Sequence, residues 1–101
     1  MKRIYISGPM TGLPEKNFPA FNAEANRLRA LGFDVVNPVD VTPDEAELTW
    51  NECMRSDLAA LLTCDTLALL DGWQQSSGAH LEMHVAHRVG MKIVISREVT
   101  A

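Results

Sequence analysis

Apolar and polar positions alternate in blocks along this chain, and the blocks predict a regular order of elements. Ile4-Tyr5-Ile6 is a short, β-prone run that stops at Ser7-Gly8-Pro9, a first strand feeding a loop. Phe18, Phe21, Ala25 and Leu28 recur at three- and four-residue spacing, the stripe of an amphipathic helix that closes at Leu31-Gly32. Phe33 to Val36 predicts a second strand, ended by Asn37-Pro38. From Val39 to Thr49 the chain is polar and acidic, with Pro43 inside it, and reads as a loop with at most a turn of helix. A helix follows, roughly from Trp50 to Thr63, with Leu58, Leu61 and Leu62 toward the core. Thr66 to Leu70 is an unbroken apolar run that suits a strand buried on both faces, and Asp71-Gly72 ends it. Ser77 is placed to cap a helix from Gly78 to about Val89, which Gly90 terminates, and Ile93-Val94-Ile95 is the last strand.

The resulting order, β-α-β-loop-α-β-α-β, implies an α/β fold with right-handed crossovers and helices on both faces of the sheet. A Rossmann-like or flavodoxin-like three-layer sandwich with a small, mostly parallel sheet of about four strands is the economical solution. Such sheets bind ligands at the carboxyl ends of their strands, near the switch in strand order. Three loops meet there: Ser7 to Gly12, Asn37 to Asp40, and Asp71 to Gly78.

Composition narrows the class. The chain of 101 residues fits one domain, 1–101, and its 47% hydrophobic and 22% charged residues are ordinary globular values. A formal net charge of -4 gives it no general attraction for a nucleic-acid polymer or an anionic membrane. Cys53 and Cys64 show no metal spacing and read as free thiols of a reducing compartment. No apolar run approaches membrane length, and Ser7-Gly8-Pro9 interrupts the first one too early for a signal peptide. The expectation is a cytoplasmic protein.

The loops carry the candidate chemistry. Ser7-Gly8-Pro9-Met10-Thr11-Gly12 is neither a Walker loop nor GxGxxG; its glycines let backbone approach a ligand and its amides can hold an anion, or it is a plain tight turn. Trp73 lies where it would stack on a planar base or cover the core edge. Ser76, Ser77 and the amide of Gly78 stand at a helix N-terminus, which favours anions. Glu82 follows about one turn later, where a carboxylate either serves the crevice or complements the helix dipole. Asp57 and Asp65 bracket the preceding helix, and paired carboxylates are the tools of glycosidic bond chemistry. His80, His84 and His87 share one helical face, but Glu82 lies about 200° around the helix from His80. A carboxylate facing the crevice therefore turns the histidines to solvent or a partner subunit, and no metal is expected.

These residues resemble a known family. Ile4 to Gly12, then Arg55-Ser56-Asp57-Leu58 with Cys64-Asp65, then Ser76-x-Gly78-x-x-x-Glu82 with Ala86 and Gly90-Met91-Lys92, resemble the nucleoside 2-deoxyribosyltransferases and the 2'-deoxynucleoside 5'-monophosphate N-glycosidases. More narrowly, the run from Gly72 to Glu82 looks like a short phage and prophage domain family of the same type. The resemblance implies that Glu82 attacks C1' of the sugar as nucleophile, that Asp57 acts as acid/base near the leaving base, and that Tyr5 orients Glu82. It implies that Ser76, with the Gly8 and Gly78 amides, holds the sugar 5' end or its phosphate. Ser7, Pro9, Met10, Asp65, Trp73 and Ser77 complete the expected substrate contacts. It implies no cofactor, a nucleoside or nucleotide ligand, and a homo-oligomer, a dimer or a tetramer built from dimers. In the enzymes a longer C-terminal part follows the last strand and a neighbouring subunit reaches into the site; here Arg97 to Ala101 follow it. The alternative is a non-catalytic module, a sensor or sponge for a nucleotide-derived molecule.

Overall fold

The computed structural model describes residues 1–41 and 48–101; most of the polar loop expected between Val39 and Thr49, with Pro43, lies outside the described residues. Strands β1 (Arg3–Ser7), β2 (Asp34–Val36), β3 (Thr66–Leu69) and β4 (Lys92–Ile95) pair in parallel in the order β2-β1-β3-β4. Helices α1 (Phe18–Ala30), α2 (Trp50–Leu61) and α3 (Ser77–Arg88) make the crossovers. The α/β sandwich with its small parallel sheet is the architecture expected from the alternation of elements.

The two-residue repeat of β1 divides the molecule. Ile4 and Ile6, with Ala68 and Leu70, pack against Phe21, Ala25 and Leu28 of α1. Tyr5, with Leu67 and Leu69, packs on the opposite face with Leu61 of α2 and Ala86 of α3. Ser7 follows Tyr5 by two positions and shares that second face. In register, Tyr5 lies beside Leu67 and Ser7 beside Leu69.

Two expectations change in detail. The cap of α3 is Ser76, whose side chain accepts a hydrogen bond from the Ala79 amide at 3.1 Å, and Ser77 is already helical. Leu62 is not a core residue: α2 ends at Leu61, and one further step of about 100° carries Leu62 out to 56% exposure. Leu58 is partly buried and Leu61 fully buried. A capping box, Thr49 with Glu52, starts α2, a signal written in the sequence as Thr-x-x-Glu. Among the described residues no helix is long and apolar enough to cross a membrane.

Candidate active site

The strand order reverses between β1 and β3. One crossover leaves β1 toward β2, and the others return across β1 to β3 and β4, so the carboxyl ends of β1 and β3 form the mouth of a crevice. On the α2–α3 face, β1 supplies Tyr5 and Ser7 from below, α3 supplies Glu82 and α2 supplies Asp57.

Glu82 is 5% exposed. Tyr5 Oη donates a 2.5 Å hydrogen bond to its Oε2, and Ser7 Oγ donates one of 2.7 Å to its Oε1. Burial raises the Glu82 pKa to about 7; the two hydroxyl bonds pull it down, and the charge of Asp57 pushes it up. The phenol of Tyr5 is shifted far upward by burial and by the two carboxylates, so it remains a donor. Asp57 is partly buried; its Oδ1 has no hydrogen-bond partner among the described residues, and desolvation raises its pKa to about 6. Two carboxylates that favour sharing one proton near neutrality thus sit within electrostatic reach of each other.

The loops above them are tightly joined. A Cβ on Gly8 would lie 2.8 Å from Leu70 Cβ, so only glycine lets the chain leaving β1 pass β3 this closely. Gly72, at φ +84°, has Pro9 against it, where an added Cβ would be 3.3 Å from Pro9 Cγ. At Gly78 an added Cβ would meet Met54 Sδ at 3.3 Å, which brings α2 against the first turn of α3. Ser76 Oγ accepts from the Ala79 amide, leaving its own proton to donate. Ser77 is exposed beside it. Trp73 is half-buried against the Tyr5 side of the core, its ring 5.3 Å from that of His80.

Several expected contacts are not brought together. Asp65 precedes β3 and so lies at the amino end of the sheet, opposite the crevice; its carboxylate accepts from the Lys2 and Arg3 amides and from Thr66 Oγ1. Met10 packs against the α1 core, on the other side of the sheet from Glu82. The Pro9 carbonyl accepts from Asn17 Nδ2. The Ser7 hydroxyl is spent on Glu82. Asn37, at the end of β2, is buried and pairs with Asn22 and the Val39 amide, which fixes the third loop without touching Glu82.

His80, His84 and His87 are exposed on the outer side of α3, where with Met83 and Ile93 they line a groove. His80 Nε2 lies 2.9 Å from the Gln74 carbonyl. Among the described residues no three histidine, cysteine or acidic side chains are grouped to hold a metal ion. Met54, which by its apolar character was expected to be in excess of one small core, is buried, three residues before Asp57 on α2 and against Gly78.

The chain belongs to the family described as "Domain of unknown function (DUF4406)", which matches residues 2–95. No curated protein matches it. Among solved structures it resembles a conserved protein from Enterococcus faecalis V583, with 23% identity, a TM-score of 0.74, and coverage of 94% of this chain and 62% of that one. A 2-deoxyribosyltransferase from Bacillus psychrosaccharolyticus aligns with 19% identity and a TM-score of 0.71, over 91% of this chain and 70% of that one. A 2-desoxiribosyltransferase from Leishmania mexicana aligns with 16% identity and a TM-score of 0.71, over 94% and 63%. The chain therefore has the 2-deoxyribosyltransferase fold, and it spans 62% to 70% of the length of these structures.

Proposed function

We propose that this member of the DUF4406 family cleaves or transfers the N-glycosidic bond of a 2'-deoxynucleoside or its 5'-monophosphate. One observation carries the reading: a buried glutamate, held at both oxygens by Tyr5 and Ser7, stands with a second raised-pKa carboxylate, Asp57, where a doubly wound sheet takes its ligands. The fold shared with two 2-deoxyribosyltransferases supports it.

An ionised Glu82 oxygen attacks C1' of the sugar. As the C1'–N bond breaks, its electron pair leaves with the base, and the proton of Asp57 passes to the base nitrogen. The sugar is then an ester of Glu82. Water attacks C1', gives its proton to the Asp57 carboxylate, and the electron pair of the ester bond returns to Glu82. A second base in place of water makes the same sequence a transfer. The remaining proton of Ser76 and the amides of Gly8 and Gly78 meet the sugar 5' end, with Ser77 beside them, and Trp73 flanks the base. These steps use side chains of this chain alone.

The reading includes a single domain, a cytoplasmic setting in keeping with two free thiols, and assembly as a dimer or tetramer. Incubation with a panel of deoxynucleosides and their 5'-monophosphates, followed by chromatography for free or exchanged base, tests the activity. Wild type should act on at least one and Glu82→Ala on none. Equal release by both proteins would sink the assignment of Glu82. A thermal shift with nucleotide but no base release by wild type would replace the enzyme with the non-catalytic binding module.

A further inference from the structure

We infer that Ser7 is a positioning residue, whose hydroxyl keeps the Glu82 carboxylate ionised and fixed in orientation, and that it is not a ligand of the substrate. The inference rests on the reading of Glu82 as nucleophile and moves Ser7 from the substrate contacts to the machinery beneath them.

The geometry is restrictive. Ser7 is 1% exposed, and its one hydroxyl proton lies in the 2.7 Å bond to Glu82 Oε1. Its backbone cannot drift to free that proton. The Ser7 carbonyl accepts from the Leu70 amide at 2.8 Å, and Gly8 passes Leu70 with no room for a Cβ. The hydroxyl is thus buried and already engaged by Glu82.

The partner bond explains why two donors are needed. A carboxylate held at one oxygen still swings about its last carbon–carbon bond. Tyr5 and Ser7 are two apart on one strand, so both point to the same face, about 7 Å apart along it. One long and one short side chain then reach the two oxygens of a single carboxylate.

The hydroxyls also decide the charge. Glu82 is 5% exposed, and its burial favours the neutral form. The same face of the sheet carries the apolar cluster of Leu67, Leu69, Ile93 and Ile95. Asp57 of α2 and Tyr5 of β1 are the titratable groups that bear on it among the described residues. Donors to an ionised oxygen oppose that environment, and among the described residues Ser7 is one of two, with Tyr5.

Proteins labelled with 13C at the glutamate carboxyl carbons test this by NMR titration, the Glu82 signal being the one lost in Glu82→Gln. Ser7→Ala should raise the Glu82 midpoint by about one pH unit, and Ser7→Cys, a weaker donor, by less. In base release, Ser7→Ala should move the acid limb of the pH profile upward and lower kcat about tenfold, with KM within about twofold. An unchanged midpoint in a folded variant overturns the inference. So does a KM raised about tenfold at unchanged kcat and unchanged acid limb, the mark of a substrate ligand. If Ser7→Ala does not fold, Ser7→Cys is read by the same criteria. If wild type releases no base, the activity reading fails and the titration alone decides the role of Ser7.

Discussion

Tyr5 and Glu82 lie 77 positions apart in the chain and meet in a buried 2.5 Å hydrogen bond. The first strand and the last helix are thereby tied at the point where the sheet changes direction, and a carboxylate is kept among apolar side chains. What such a carboxylate costs the fold, and what it does for chemistry, can be measured separately.

Glu82→Gln separates them. The folded pKa is raised from the ordinary 4.5 to about 7, so the stabilisation belongs to the protonated form. It is complete below about pH 4.5 and is lost as pH rises through about 7. Glu82→Gln should therefore be more stable than wild type at pH 8, by up to about 3 kcal/mol, and no more stable near pH 4. Urea denaturation at the two values checks this. Base release, compared between pH 6 and 7 where wild type is active, should fall by several orders of magnitude.

Tyr5→Phe keeps the ring in the core and removes the donor to Oε2. It should cost about 1–3 kcal/mol at pH 8, where a charged oxygen loses its partner, and less at pH 5, where Glu82 is neutral. Activity should drop with its acid limb moved upward. A pH-independent stability loss would show that the phenol does not serve the charge.

Asp57→Asn addresses the second carboxylate. Wild-type activity should be bell-shaped between limbs near pH 6 and 7, because one proton shared by the pair is required. The variant should lose the basic limb and slow release of poor leaving bases more than of activated ones. Its folded pKa is also raised, so Asp57→Asn should gain stability at pH 8 but not at pH 3. Rates on two bases of different leaving ability, across pH, decide it.

Gly8→Ala probes the junction above β1. The added methyl would sit 2.8 Å from Leu70 Cβ, and overpacking of this kind costs about 1–3 kcal/mol. Because the shift begins next to Ser7, activity should fall further than stability does. Thermal melting and base release compared on the same preparation test this; a loss of stability with full activity would disconnect the junction from the site.

Local pattern made most of the fold legible. The β and α blocks, their order and the parallel sheet follow from periodicity and turn residues, because burial of one face imposes a two- or three-to-four-residue repeat on the sequence itself. The opposed facing of Glu82 and the histidines was readable for the same reason: both lie on one helix, and helix geometry relates them without a partner. Boundaries were less legible. Ser76 and Ser77 are equivalent cap residues until the Ala79 amide chooses one of them.

The site needed the third dimension. By itself the sequence determined which candidate residues stand on each element: a tyrosine and a serine two apart on β1, an aspartate on α2, a glutamate on α3. It did not determine that Ser7 spends its hydroxyl on Glu82, that Met10 turns to the α1 core, or that Asp65 stands at the opposite end of the sheet. Those outcomes depend on strand order, register and the close passage of Gly8 by Leu70. They are contacts between segments many residues apart, and no local repeat records them; only the packed sheet selects which face and which end each side chain occupies.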